Sequence, residues 1–288
     1  MKHEVTERTT LMEFLSKVYP DSPATRIKKL LKSGNIRLRG QVITHYAHTL
    51  EAGDEIEIAE YTKRTTEAPF KILYEDDWLV AIDKPPGINT SSADNAPSCS
   101  AVFTEWYRDN SKGRIRVYVV HRLDKEVSGV LLFAKSESVM EQLSENWEKT
   151  EKRYMAIVEG KPPKPEGIHS SWLLENEFQR MYSVKNEEEG AKFAKTQYRT
   201  TGTVGDYTIL EITLHTGRKN QIRVHMRDLG CPIVGDRRYG AERKYVRRIR
   251  LHSIYLSLPH PVTEKTVVIE SKPPGSFFHF KQADEDYK

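Results

Sequence analysis

Residues 117–136 read VYVVHRLDKEVSGVLLFAKS, and their pattern sets the architecture around them. The apolar runs RVYVV and GVLLFAKS have the length and composition of two strands. Between them, His121 to Ser128 is too long for a two-residue hairpin and too charged for a core loop. Arg122 and Asp124 stand two apart with apolar Leu123 between them. Such a loop has to present one kind of side chain while burying the other. Taken singly, Asp124 reads as a turn former bonded to its own backbone, and Ser128, with no G-x-S-x-G around it, as a turn residue.

Working outward, FKILYEDDWLVAIDKPPGI (70–88) reads as two strands about an acidic turn, Glu75–Asp77, ending at a Pro-Pro-Gly break without phosphate-loop spacing. After the loop, Ser136 can cap a helix over 137–150, with Val139, Met140, Leu143 and Trp147 as its apolar stripe. KRYMAIVEG (152–160) is a strand. FAKTQYRTTG and DYTILEITLHTG form an expected strand pair turning over Gly202–Asp206. NQIRVHMRDLG is a helix with Ile222, Met226 and Leu229 on one stripe and Gly230 as its stop, and RIRLHSIYLSL and KTVVIES are late strands. Many strands with few intervening helices predict an α+β fold with a mixed, largely antiparallel sheet, not a doubly wound parallel one.

The N-terminal stretch reads as a separate small unit. Ser22 and Pro23 open a helix whose Ile27, Leu30 and Leu31 share a face, and Gly34 is its expected stop. NIRLRG and QVIT follow as short strands about a Gly40-Gln41 turn, then DEIEIAE as a third. Residues 61–68, YTKRTTEA, lack apolar periodicity and read as a linker. The expected division is 1–60, a linker over 61–68, and 69–288.

The 288 residues are 38% hydrophobic and 30% charged, enough for a sizeable core under a charged surface. Apolar runs stop at about five or six residues, far short of the roughly twenty that cross a bilayer, and the N-terminus has no apolar signal region. A cytoplasmic protein without membrane attachment is expected. Cys99 and Cys231 are far apart, so neither a disulfide framework nor a zinc site is proposed; His121, His215 and His225 also lack metal-ligand spacing. The net charge of +4 is mild, but it is concentrated. RIKKLLKSGNIRLR (26–39) contains no acid, and RRYGAERKYVRRIR (237–250) contains only Glu242. Both read as candidate phosphate contacts or as solvated faces. Arg26, Lys29 and Arg37 are the candidate phosphate contacts we single out.

HRLDKEVSG resembles the HRLDxxTSG signature of RluA-type pseudouridine synthases. TGRKNQIRVHMRDLGCPIVGDRRYG resembles their second motif, GRxHQIRxHxxxxGxPIxGDxxYG, in the same order and at matching separation. The resemblance covers about residues 69–270. Over about residues 10–60, RIKKLLKSGNIRLRGQVI and LEAGDEIEI are similar to the S4 RNA-binding domain.

The resemblance implies isomerisation of specific uridines in structured RNA by an aspartate, with no cofactor and no metal. It implies Asp124 as that aspartate, Arg223 as the buried partner holding it ionised through a two-pronged contact, and Tyr154 stacking on the target base. Arg122 would hold the flipped nucleotide, and Ile222 would pack against the uracil. Ribosomal large-subunit RNA is the expected substrate, with transfer RNA as the alternative, and a monomer without an obligate protein partner is expected. An ionised carboxylate can act as nucleophile or base, so attack on the base, attack on the sugar and abstraction of the 2′ proton all stay open; the resemblance favours elimination through a glycal-like intermediate. Without the motifs, Tyr154 is an ordinary strand aromatic and Arg223 a surface charge beside Asp228 or Glu211. The chain departs from the family pattern at Val127, usually Thr, and Asn220, usually His. A non-catalytic RNA-binding or ribosome-assembly protein, or a uracil-releasing glycosylase, are the competing functions.

Overall fold

The computed structural model describes residues 2–20, 22–32, 36–58, 67–92, 97–111, 115–242 and 248–280. The chain divides into two compact units, Met1–Glu67 and Ala68–Lys288. Most of the linker expected over 61–68, and the helix stop expected at Gly34, lie outside the described residues.

In the first unit, strand β1 (Lys2–Glu4) precedes β2 (Thr9–Thr10), helices α1 (Leu11–Val18) and α2 (Ala24–Lys32), and strands β3 (Ile36–Leu38), β4 (Gln41–Val42), β5 (Thr49–Leu50) and β6 (Glu55–Ile58). A four-stranded sheet runs β1-β6-β3-β4, with β2 and β5 as a separate pair. Thr10 and Glu13 form a reciprocal capping box that starts α1. Ile27 and Leu31 of α2 meet Leu11, Leu15, Ile36, Leu50 and Ile56 in one buried cluster. The β3–β4 turn is Arg39-Gly40, not Gly40-Gln41: both turn residues have positive φ, 52° and 80°, and Leu38 pairs with Gln41. Such two-residue turns match the twist of the strands they join.

The second unit holds β7 (Ile72–Glu75), β8 (Leu79–Lys84), α3 (Cys99–Asn110), β9 (Tyr118–Val119), β10 (Ser128–Ala134) and α4 (Glu137–Glu145). It continues with β11 (Glu151–Glu159), β12 (Glu166–Glu175), β13 (Met181–Val184), β14 (Lys192–Val204), β15 (Tyr207–Leu214), α5 (Gln221–Asp228), β16 (Leu251–Pro259) and β17 (Thr266–Glu270). One sheet runs β13-β12-β14-β15-β11-β16-β10-β8-β7, with β17 on β16 and β9 on β10. Its pairs are antiparallel except β10 with β16. The sheet is therefore mixed and largely antiparallel, and the fold is α+β.

At β10 both faces of the sheet are covered. Leu131 and Phe133 of β10 pack with Phe103 of α3 and with Ile222 and Met226 of α5. Val130, Leu132 and Ala134, pointing the other way, pack with Val139 and Leu143 of α4. This explains why β10 is one unbroken apolar run. Ser136 caps α4 by accepting from the Val139 backbone, as its sequence predicts.

Three features differ from the pattern reading. Gly202 lies within β14, at a register shift between Thr200 and Gly202; the turn comes later, between the paired Val204 and Tyr207. A glycine inside a strand marks a bulge as readily as a turn. Helix α5 is buried from Gln221 through Met226, not along one stripe, because β12, β13 and β14 pack close to it. His225 contacts Thr196 Oγ1 (2.8 Å) and Ser171 Oγ (3.1 Å), which satisfies its ring nitrogens on the face away from Arg223. Finally, α3, β12 and β13 occupy segments in which periodicity suggested no element.

Candidate active site

The centre of the sheet brings the two motifs together. Ser253 of β16 pairs with Gly129 of β10 on one side and with Tyr154 of β11 on the other. Gly129 has φ +110°, and a Cβ there would sit 2.1 Å from the Ser253 carbonyl oxygen. Only glycine permits that approach, which sets the exit of the Asp124 loop against β16. A register shift between Arg153 and Tyr154 re-aims the tyrosine toward the same region.

The Asp124 loop is held mainly through its backbone. Thr90 Oγ1 accepts from the Leu123 N–H at 3.0 Å and donates to the Leu123 carbonyl at 2.7 Å. Lys84, fully buried, donates to the carbonyls of Pro85 (2.9 Å), Lys125 (3.3 Å) and Val127 (2.8 Å). Burial lowers its ammonium to about 8. The Val127 N–H closes a turn onto the Asp124 carbonyl at 3.1 Å. Leu123 and Val127 are buried in the core with Tyr154 and Ile222. Asp124 keeps 28% of its side chain exposed, and Arg122 lies exposed on the same loop. His121 accepts from the Leu132 N–H and stacks on Trp147, burial pushing its ring down to about 3.

Arg223 is 5% exposed, so it is not a surface helix charge. Its two-pronged contact, expected with Asp124, is made with Asp236. Nε donates to Oδ2 at 2.7 Å and Nη2 to Oδ1 at 2.9 Å. Nη1 donates to Asn220 Oδ1 at 3.0 Å and reaches Asp124 Oδ2 at 3.4 Å. The planar guanidinium has five donors in a fixed fork, so clamping one edge on Asp236 aims the remaining nitrogen. Tyr239, fully buried, lies beneath Arg223, its ring centroid 4.9 Å from Cζ, and its hydroxyl accepts from Asn220 Nδ2 at 3.0 Å. Asn220 is left-handed, φ 55°, a conformation asparagine tolerates better than most side chains.

Burial dominates the electrostatics of the carboxylate. It raises Asp124 above the ordinary aspartate value, Arg223 opposes that shift, and the charges of Glu126 and Asp236 add to it. Burial, and then the Asp124 charge, also raise Tyr154, while Ser253 pulls the other way, so the phenol stays protonated near neutral pH. A cleft of about 400 Å³ opens beside Arg223, lined by Glu126, Asp236, Arg237, Arg238 and Ile249. A somewhat larger one, about 500 Å³, lies between α3 and β9 and contains none of these groups.

The basic patches divide differently from their sequence. Of residues 237–250, Arg250 is buried and donates to the His279 carbonyl at 2.8 Å, and Arg248 bonds Ser128 Oγ, whereas Arg237 and Arg238 face outward. Residues 243–247 lie outside the described set. In the first unit Arg37 is exposed; Arg26 and Lys29 fall on α2, but their side chains are not among those described. Among the described residues, no group of three or more His, Cys, Asp or Glu is placed to hold a metal ion. Cys99 and Cys231 are buried free thiols, raised by burial to about 12 and about 11. No described helix is long and apolar enough to cross a membrane.

Asp236, Tyr239 and Lys84 were not singled out by the sequence. The first two stand in the GDRRYG segment of the second motif, and a buried arginine's need for a carboxylate would have made Asp236 one candidate among several. Lys84 looked like part of a turn signal.

The model of the RNA pseudouridylate synthase family matches residues 78–228. An uncharacterised RNA pseudouridine synthase of Synechocystis sp. is 30% identical over 289 residues, covering 95% of this chain and 88% of the relative. Ribosomal large subunit pseudouridine synthase D of Xanthomonas campestris pv. campestris is 30% identical over 277 residues, covering 88% and 82%. Among solved structures, human RNA pseudouridylate synthase domain containing 4 superposes with a TM-score of 0.61 at 26% identity, over 72% of this chain and 90% of that one. With both motifs converging on one cleft, the chain belongs to the RluA-type RNA pseudouridine synthase family and is an isomerase.

Proposed function

We propose that this enzyme converts specific uridines of large-subunit ribosomal RNA to pseudouridine, with Asp124 as the reacting group and no cofactor. One observation carries the reading: a part-exposed carboxylate faces the one guanidinium nitrogen that a buried clamp leaves aimed at it. The names of relatives such as pseudouridine synthase D support the ribosomal substrate. The two compact units support an S4-like RNA-binding domain ahead of the catalytic one.

Ionised Asp124 removes the 2′ proton of the ribose, and the N1–C1′ bond breaks with its electron pair going to the base, to leave a glycal and a uracil anion in the cleft. The uracil turns, C5 bonds to C1′ as C2′ takes back the proton from Asp124, and the C5 proton is lost as N1 takes one up. Arg223 keeps Asp124 ionised against its burial. Tyr154 stacks on the base and Ile222 packs against it. Arg122, exposed beside the carboxylate, holds the flipped nucleotide. Flipping is required because a stacked base shields C1′, and it costs a few kcal/mol. Exposed Arg37, together with Arg26 and Lys29 of the α2 sequence, offsets part of that through phosphate contacts. The enzyme acts as a cytoplasmic monomer.

The test is a carbodiimide-primed stop map of RNA from a deletion strain complemented with wild type or Asp124→Ala. Wild type restores specific stops in large-subunit RNA and Asp124→Ala restores none. Stops restored only in transfer RNA overturn the substrate; restoration by Asp124→Ala overturns the aspartate.

A further inference from the structure

The turn Asn176–Arg180 between β12 and β13 carries the most exposed large apolar side chain among the described residues, Phe178, at 76%. A single exposed phenylalanine needs no explanation by itself. Here, however, the backbone beneath it is held from two sides. Asn176 Oδ1 accepts from the Phe178 and Arg180 N–H groups at 3.1 and 2.9 Å, and the Gln179 N–H donates to the Asn176 carbonyl at 2.9 Å. From below, Arg238 Nη2 donates to the carbonyls of Phe178 (3.1 Å) and Gln179 (2.6 Å). The Met181 N–H donates to the Tyr239 hydroxyl at 3.1 Å.

Arg238 also lines the cleft beside Arg223, and Tyr239 lies under Arg223. The aromatic tip is therefore fastened to the same segment that forms the cleft wall. Arg237 and Arg238 make that wall basic, and Lys219 pairs with the nearby acid Glu175. A flat, exposed apolar ring on an anchored turn, joined through Arg238 to a cleft wall that carries arginines, offers what an unstacked nucleobase with its phosphates requires.

We propose that Phe178 is a stacking platform for a nucleotide flanking the target uridine, standing in for the uridine as that nucleotide's stacking neighbour once the uridine has flipped out. The inference rests on the RNA-isomerase reading above. It adds a substrate-binding residue outside both motifs.

The test uses full-length protein and RNA from the deletion strain labelled with tritium at uracil C5, which is released on each turnover. Phe178→Ala and Phe178→Leu should raise KM about 5- to 100-fold, with kcat nearly unchanged, while Phe178→Trp stays within about twofold of wild type. Equal melting temperatures across the series identify the effect as stacking and not folding. If Phe178→Ala matches wild type in KM, or Leu substitutes fully for Phe, the platform is overturned and the isomerase reading stands. If wild type releases no tritium from any RNA, that reading falls and the platform falls with it.

Discussion

In the unit that carries Asp124, Arg223 is 5% exposed and commits its nitrogens to Asp236, Asn220 and Asp124. In the N-terminal unit, Arg37 stands in solvent and donates to the Gly40 carbonyl at 3.3 Å. Counted in sequence the two are equivalent charges. Their surroundings give them opposite uses: a buried cation is tolerated only when acids or carbonyls take up its donors, and so becomes part of the protein's framework, while a solvated one stays available to a polyanion. Burial also divides residues 237–250, where Arg250 is internal while Arg237 and Arg238 face outward.

The largest expected effect comes from breaking the buried side of that contrast. Asp236→Asn leaves the Arg223 charge without its principal partner and should cost about 3–5 kcal/mol of stability in urea unfolding. It also removes a negative charge that raises Asp124. Where folded enzyme persists, the acidic limb of its pH–rate profile should therefore move to lower pH, since Asp124 would ionise more readily. A limb moving upward would show that Arg223 had swung away from the carboxylate.

Lys84 is another buried cation, held by carbonyls instead of a carboxylate. Lys84→Met removes three hydrogen bonds under the Asp124 loop and should cost about 1–3 kcal/mol near neutral pH. The folded ammonium lies at about 8 against 10.5 in the unfolded chain. Between those values the unfolded state binds more protons, so wild-type stability should rise with pH relative to Lys84→Met. Melting curves at pH 7.5 and 10 check this, and a gap that narrows with pH would refute it.

Val127→Thr addresses the departure in the first motif. Val127 is 3% exposed and packed among apolar side chains, and its backbone, not its side chain, holds the loop. A hydroxyl placed there should cost about 1–3 kcal/mol without changing kcat. A gain in kcat would mean that the loop is held less firmly than its hydrogen bonds indicate.

The smallest effect belongs to the solvated side. Arg37→Ala should leave folding and kcat intact and lower the dependence of log K for RNA on log salt by about 1. An unchanged slope would remove Arg37 from the RNA contacts.

Much of the fold could be read because its signals are local. Ser136 starts α4 by its own side chain, and the alternating or unbroken apolar runs of β8, β10, β11 and β15 each record which faces are covered. Helix α3 and the β12–β13 pair were not legible because their apolar residues answer to partners far along the chain: Phe103 to Phe133, and Leu173 to Val224. In the site, the motifs singled out Asp124, Tyr154 and Arg223 but misassigned the two-pronged contact. A fork of donors can face any carboxylate the fold delivers. Asp236 lies thirteen residues from Arg223 and Asp124 ninety-nine, and spacing does not rank them.

By itself, then, the sequence determined the chemical types at the site and the periodicities of the strands that carry them, since both are properties of neighbouring residues. The tertiary structure decided which arginines are internal, which carboxylate Arg223 clamps and which it only approaches. Those outcomes depend on the β10–β16 pairing at Gly129 and the bulge at Tyr154, which bring segments about a hundred residues apart into contact and exclude water from some charges but not others.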